Sequence, residues 1–307
     1  MNKEKVCFLT KMDINSFSVV SDERLDKIYN TYLLENKNRE YFVLKKATDK
    51  EIAINQLLIK HGFIDLIPEI MSFSKELDSN HKWMTTRYVG KKDLSRLNQS
   101  TAKLLGKHLA KLTNYFYFEE DLLNQLTPNT DEQLAHKLAI LDKLDKNSIL
   151  YDSYNLYINR FISTPKTLCH DDLLPINVLQ NQTTNQLKII DWEHTRKGNY
   201  TTDIARFSAF YTTNQETFEK GLSFYGCQSD IDLLLCTYYS LLDAQIKEQV
   251  SKQQFLEDYH LEALNQLIMT ISYLKKINTT YIQTEWENYF FTLALEKAIY
   301  IKKEHFK

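Results

Sequence analysis

The period of apolar and polar positions changes near residue 90. Before it, short β-rich runs dominate. Ile28 to Leu34 (IYNTYLL) and Tyr41 to Lys45 (YFVLK) flank the polar ENKNRE, a pattern that predicts a hairpin. Thr48-Asp49-Lys50-Glu51 reads as a capping box, followed by Ile52, Ile54, Leu57 and Leu58 at helical spacing. That helix should stop near His61-Gly62, with Pro68 beyond. Met71 to Ser74 and Lys82 to Val89 (KWMTTRYV) read as two more strands. After Gly90, Leu104, Leu105, Leu109 and Leu112 form a helical stripe, and Leu134, Leu138, Leu141 and Leu144 another. A strand pair is expected at Val178-Leu179 and Leu187 to Ile190 across the polar QNQTTNQ, and helices are expected from Tyr200 onward. The pattern therefore divides into a sheet-rich lobe over 1–90 with one helix, and a helical lobe over 91–307 with one hairpin.

Composition narrows the classes. Of 307 residues, 43% are hydrophobic and 25% charged, which excludes global disorder. The net charge of -2 argues against nucleic acid or an anionic membrane as a partner. No run of 18 apolar residues is present, and MNKEKVCFLTKMD lacks the apolar core of a signal peptide, so a cytosolic protein is expected. Cys7, Cys169, Cys227 and Cys236 form no CxxC pair and are expected to be buried thiols. The six glycines include neither GxGxxG nor GxxxxGK[ST].

The densest chemistry lies between Leu168 and Phe207. His170-x-Asp172-x4-Asn177 is followed across the expected hairpin by Ile190-Asp191-Trp192-Glu193. Phosphoryl transfer asks such a segment for a carboxylate that orients or accepts from the substrate hydroxyl. It also asks for an amide oxygen and a second carboxylate to hold Mg²⁺ against the phosphates. Asp172, Asn177 and Asp191 fit those three roles, and the hairpin should return Asp191 toward the turn that carries the other two. A chance HxDx4N beside an unrelated strand-end aspartate is the plain alternative.

Cys-His-x-Asp-Leu-x-Pro-x-Asn-Val-Leu, then Ile-Asp-Trp-Glu, then Asp203-Ile204-Ala205, resembles the aminoglycoside phosphotransferase and choline kinase family, most of all its choline and thiamine kinase branch. The resemblance runs from about Tyr29 to Phe207 and is specific over 168–207. It implies an α+β, bilobal protein-kinase-like fold, with a small antiparallel-sheet N-lobe and a larger helical C-lobe. It implies ATP and Mg²⁺ as cofactors. Lys45, with Lys46 as its rival, would hold phosphate oxygens. Glu51 would steady Lys45 as an ion-pair partner, unless its carboxylate serves the capping box instead. Met84 to Gly90 would be the hinge, where the Thr86 carbonyl and the Tyr88 amide receive adenine. His170 would brace the loop, and Asp203 would accept loop amide hydrogen bonds.

Three positions depart from the family pattern. Asp171 stands where Gly or Asn is usual; it either repels Asp172 or, as expected here, faces solvent. Ile176 stands where Gly or Glu is common. The phosphate-covering segment between Ile14 and Ile28, NSFSVVSDERLDK, has no glycine, leaving Ser16, Ser18 and Ser21 as donors.

The resemblance also frames the substrate. Tyr211, Tyr238, Tyr239 and Asp243 fall where choline kinases can carry a cation site, although a core reading is favoured for the aromatics and for Trp286. Glu193 either faces a cationic substrate or caps the following turn, and Glu119-Glu120-Asp121 reads as a solvated helix end. The expected function is a cytosolic small-molecule kinase acting on a small alcohol, with choline, ethanolamine or thiamine first. An antibiotic phosphotransferase is the alternative within enzymes, and a catalytically silent kinase-like binding protein the alternative outside them.

Overall fold

The computed structural model describes residues 1–22, 27–76, 81–126, 130–181, 183–276 and 281–305. Its helices are α1 (Lys3–Thr10), α2 (Asp49–Lys60), α3 (Gln99–Tyr117), α4 (Glu120–Leu126), α5 (Thr130–Leu141), α6 (Ile149–Ser163), α7 (Thr202–Ser208), α8 (Gln215–Glu219), α9 (Gln228–Leu241), α10 (Ala244–Gln249), α11 (Lys252–Leu274) and α12 (Tyr281–His305). Its strands are β1 (Ile14–Asp22), β2 (Lys27–Asn36), β3 (Tyr41–Ala47), β4 (Ile70–Lys75), β5 (Lys82–Arg87), β6 (Lys166–Cys169), β7 (Val178–Gln180), β8 (Leu187–Ile189), β9 (Arg196–Asn199), β10 (Tyr211–Thr212) and β11 (Phe224–Tyr225). The chain forms two compact units, 1–93 with 176–194 and 94–175 with 195–307.

The first unit is built on an antiparallel sheet in the order β1-β2-β3-β5-β4. Alternation along β3 turns Phe42 and Leu44 inward, where they pack with Val6, Leu9, Ile14, Leu34 and Trp83. Val6 and Leu9 come from α1, an element not anticipated from the sequence. It is capped by the Asn2 side chain, which accepts from the Lys5 amide, and it sets its apolar side on the sheet. Most of the expected phosphate-covering segment is strand β1. It pairs with β2 through two register shifts, and residues 23–26 lie outside those described. The β7–β8 hairpin groups with this sheet unit rather than with the helical residues. The Ile189 amide donates to the Leu66 carbonyl and the Gln180 amide to the Lys92 carbonyl, at 2.7 Å each.

The second unit buries its main core between α6, α11 and α12, with Tyr154, Tyr157, Phe161, Leu264, Leu267 and Ala294 at its centre. The expected stripe at 134–144 is shorter than one helix. α5 ends at Leu141, Leu138 is exposed, and Leu144 lies in the turn beyond. Of the four cysteines only Cys169 is buried; Cys227 and Cys236 are exposed, the first just ahead of α9 and the second on it. Among the described residues, no helix is long and apolar enough to cross a membrane.

The pair β6–β9 was not anticipated, and it positions two stretches that matter below: β6 runs into His170, and β9 begins at Arg196. The strands approach closely because position 198 is glycine. A Cβ there would lie 2.8 Å from Cys169 Sγ and 3.3 Å from Cys169 Cβ. Neither neighbour can retreat cheaply in a packed interior. Gly198→Ala is therefore expected to cost about 1–3 kcal/mol in urea unfolding at constant slope, the range for overpacking a buried site.

Candidate active site

In the first unit the site starts from β3. Lys45 and Lys46 are neighbours on a strand and so point to opposite faces. Lys45 makes the contacts: its Nζ donates to Glu51 Oε1 at 2.9 Å and also to Asp191 Oδ1. Glu51 lies in the first turn of α2. Its amide donates to the N-cap hydroxyl of Thr48, at 3.1 Å, while its carboxylate serves Lys45. The two readings of Glu51 are thus divided between its backbone and its side chain.

Asp191 reaches this cluster through the hairpin. Val178 pairs with Ile189, and the Ile190 amide donates to the Asn177 carbonyl at 3.0 Å. Asn177 and Asp191 therefore stand at the same end of the hairpin, one on each side. Trp192, just beyond, is buried, and its indole N–H donates to the Ile189 carbonyl at 3.0 Å. This anchors the 3-10 turn 192–194, which packs on α2.

The charge balance of the cluster favours a cation. Carboxylate oxygens of Glu51, Asp191 and Glu193 lie within 4.8 Å of one another. Burial opposes charge on Lys45, but Glu51 and Asp191 overcome it and raise its pKa. Burial also pushes the Glu51 carboxyl up, against the pull of Lys45 and with repulsion from Asp191 and Glu193 added. Glu51 Oε2 is buried without a hydrogen-bond partner among the described residues. Hard oxygen donors with uncompensated negative charge suit a small divalent cation such as Mg²⁺, which keeps several waters and takes few protein carboxylates. The residues present fit that ion.

The second unit contains the turn His170-Asp171-Asp172. Both oxygens of the buried Asp203 carboxylate accept from this turn: Oδ2 from the His170 amide at 2.8 Å, and Oδ1 from the Asp171 amide at 3.0 Å. Burial outweighs those two donors and pushes Asp203 up to about 7. His170 is fully buried and its Nδ1 accepts from the Asp172 amide at 3.3 Å, so its ring braces the turn.

Asp171 does not face solvent freely. Its backbone is left-handed, with φ +66, a region Gly, Asn and Asp enter most readily. Its carboxylate is held by Arg196, Nη2 to Oδ1 at 2.6 Å and Nε to Oδ2 at 2.5 Å. Asp172 has an arginine of its own: Arg206 Nη2 and Nε both donate to Oδ1, at 2.8 and 3.3 Å. Two adjacent acids thus stand side by side without a like-charge conflict. Neither arginine was singled out from the sequence; the only available signal was a basic residue beside each motif, Arg196 near Asp191 and Arg206 next to Asp203-Ile204-Ala205.

Other expected site residues are committed elsewhere. Thr86 lies inside β5, paired with Val43 and Ile70, and the Tyr88 amide donates to the Tyr41 carbonyl at 3.1 Å. The adenine donor expected at Tyr88 is thus bound up in the extension of the β3–β5 ladder. Tyr211 is buried against Phe207 and Phe224, and its hydroxyl donates to the Leu94 carbonyl at 2.5 Å. The Tyr238 hydroxyl donates to the Tyr200 carbonyl at 2.5 Å, and that of Tyr239 to the Val250 carbonyl at 3.1 Å. Asp243 caps α10, accepting from the Gln245 amide. Trp286 packs at the edge of the second unit's core, its N–H on the Gly221 carbonyl.

A sequence profile of the phosphotransferase enzyme family matches residues 22–233, more than half of the chain. The chain belongs to the phosphotransferase enzyme family. No protein of curated function matches it by sequence at a significant level. Three solved structures are similar to this phosphotransferase-family chain. An aminoglycoside phosphotransferase from Alicyclobacillus acidocaldarius is 12% identical with a TM-score of 0.65, over 99% of this chain and 96% of its own. A choline kinase from Cryptosporidium parvum is 14% identical with a TM-score of 0.61, over 99% and 97%. A ternary complex of streptomycin, ATP and APH(2")-IIa is 14% identical with a TM-score of 0.56, over 97% and 98%. At these identities the likeness establishes the kinase-like fold, an antiparallel five-stranded sheet with a mostly helical remainder.

The His170-Asp171-Asp172 turn carries a pH signature through Asp203. A carboxyl whose pKa is raised in the folded state binds its proton more tightly there than in the unfolded chain. Its stabilising contribution is then present below the unfolded value, near 4, and is lost as pH rises through about 7. Asp203→Asn removes that titration. The melting temperature of the wild type minus that of the variant is expected to narrow steadily from pH 5 to pH 8, and a constant gap would refute the protonation assigned to Asp203.

Proposed function

We propose that the protein is an ATP- and magnesium-dependent small-molecule kinase that transfers the γ-phosphate to an alcohol hydroxyl. The observation that carries this reading is the cluster in which Lys45 bridges Glu51 and Asp191, at the hairpin end that also carries Asn177. A structural ion pair needs one acid. This cluster has three, in a chain whose family transfers phosphate.

In this reading Lys45 holds phosphate oxygens and Glu51 fixes the lysine by its Oε1, so that the ammonium meets the nucleotide in one orientation. Asn177 and Asp191 would hold the magnesium, with Glu193 beside Asp191. Bound there, the ion neutralises charge on the phosphate oxygens. Asp172 accepts the proton of the acceptor hydroxyl, or orients it, with Arg206 keeping the carboxylate in place. A transition state charged mainly on phosphate oxygens needs no imidazole base, which agrees with His170 being engaged in bracing the turn.

For the acceptor we propose a small alcohol, with choline, ethanolamine and thiamine ahead of aminoglycosides. The known kinases of similar fold include both groups. The cation site is assigned to residues other than Tyr211, Tyr238 and Tyr239, because Tyr211 and Tyr238 are buried in the second unit and the rings of all three pack on phenylalanines, Tyr211 on Phe207 and Phe224 and the other two on Phe255.

The test is ADP release from ATP and Mg²⁺ against choline, ethanolamine, thiamine, homoserine and several aminoglycosides. One acceptor is expected to stimulate release, and Asp172→Asn to lower that rate by about 10²-fold or more, as removal of a positioned general base does. A flat panel with magnesium-dependent nucleotide binding would place the acceptor outside this list. A flat panel with no nucleotide binding would favour a silent, partner-binding protein.

A further inference from the structure

Asp172 is held by more than its own loop. We propose that Arg206 is a positioning residue for Asp172, and that α11, acting through Thr270, fixes the direction in which that carboxylate is presented. This inference rests on the kinase reading of the same turn.

The Arg206 guanidinium is held by three hydrogen bonds and one aromatic neighbour, all within the second unit. Two of its N–H groups converge on Asp172 Oδ1, and Nη1 donates to Thr270 Oγ1 at 3.0 Å. Its central carbon lies 5.2 Å from the ring centroid of Phe210. A planar guanidinium with three donor directions fixed and one aromatic neighbour behaves as a rigid fork, which a lysine cannot reproduce. An exposed ion pair would carry little weight. Here the two side chains keep only 17% and 27% of their exposure.

Thr270 is fixed in turn. Its hydroxyl donates to the Gln266 carbonyl at 2.9 Å, and Gln266 Nε2 donates to Glu262 at 3.0 Å. Glu262 is buried and also accepts from the Tyr157 hydroxyl and from Asn199 Nδ2, each at 3.1 Å. Residues 262, 266 and 270 recur every four positions and so share one side of α11. Glu262 and Gln266 of that polar row are buried and Thr270 is half-buried, on a helix that also supplies much of the core, and the row ends at the arginine that holds Asp172. A hydrogen-bonded row of this kind transmits position because each member has a single satisfied arrangement.

The experiment uses the full chain and reads ADP release from Mg²⁺-ATP with water as acceptor, so it does not depend on knowing the alcohol. Arg206→Met is expected to lower kcat by about 10²-fold, the scale of a displaced catalytic group, while KM for Mg²⁺-ATP stays within about threefold. Arg206→Lys should recover part of that loss. Thr270→Val, which removes the acceptor for Nη1 without touching Asp172, should lower kcat by several-fold. Cooperative thermal melting of each variant establishes that the molecules compared are folded. The inference is overturned if folded Arg206→Met keeps the wild-type kcat, or if kcat and KM change together. It is also overturned if Thr270→Val fails to fold and Thr270→Ser, which keeps the acceptor oxygen, loses as much activity as Arg206→Met. A wild-type chain that binds no nucleotide and releases no ADP with water or with any acceptor of the panel would instead remove the kinase reading and this inference with it, a result distinct from any difference among variants.

Discussion

A buried carboxylate shapes the turn on which the second unit's chemistry depends. Asp203 offers both of its oxygens to consecutive amides, those of His170 and Asp171. Neither N–H points along a strand ladder or a helix axis, so no regular structure would satisfy it. Each would cost about 1–3 kcal/mol if buried unpaired. With both satisfied from one side chain, the chain can enter the left-handed conformation at Asp171 and turn away from β6 in one direction. The β6–β9 pair brings the two halves of this arrangement together, because Asp203 follows β9 by only a few residues and His170 follows β6 directly.

Once the turn is set, the remaining problem is charge. Two acids adjacent in sequence, near a third that is buried, would drive one another toward protonation if left unpaired. The second unit answers with one arginine for each: Arg196 from β9 for Asp171, and Arg206 from α7 for Asp172. The two pairings differ in geometry. Arg196 takes its acid in a two-pronged contact, one donor to each oxygen, which suits a permanent support. Arg206 places both contacts on a single oxygen of Asp172 and reaches past it to α11.

Much of this was legible in the sequence, and the limits have physical causes. The strands β2, β3 and β5 and the helix α2 follow from alternation, capping and breakers, all local signals. Asn177 and Asp191 stood out by their spacing, whereas Lys45, Glu51 and Asp203 as a bracing acid followed from the family resemblance. α1 was missed because its eight residues mix charge and apolar side chains without a strong period, and its capping residue sits at the second position of the chain. The arginines were missed because their importance lies in partners distant along the chain: 25 positions separate Arg196 from Asp171, and 34 separate Arg206 from Asp172. The polar row on α11 was hidden by the apolar residues that alternate with it. Asp171 was misjudged for a related reason. A charged residue on a loop reads as solvated unless its counter-ion is known.

Left-handed backbone at aspartate occurs once in each unit's candidate site residues, at Asp171 with φ +66 in the second unit and at Asp191 with φ +70 in the first. For a residue with a Cβ this conformation carries an energetic penalty, and it persists only where the surroundings over-determine it. In each case the surroundings include a cation on the same side chain, Arg196 for Asp171 and Lys45 for Asp191. The ion pair offsets the strain, and the strain aims the carboxylate at its cation. Glycine would relieve the backbone at either position and would remove the group that the backbone is strained to present. The family's usual Gly or Asn at the first of these positions therefore solves the conformational problem alone, whereas Asp171 solves it and adds an anchor to β9. This gives a physical reason why the chain departs from the common pattern there without disturbing the turn beside it.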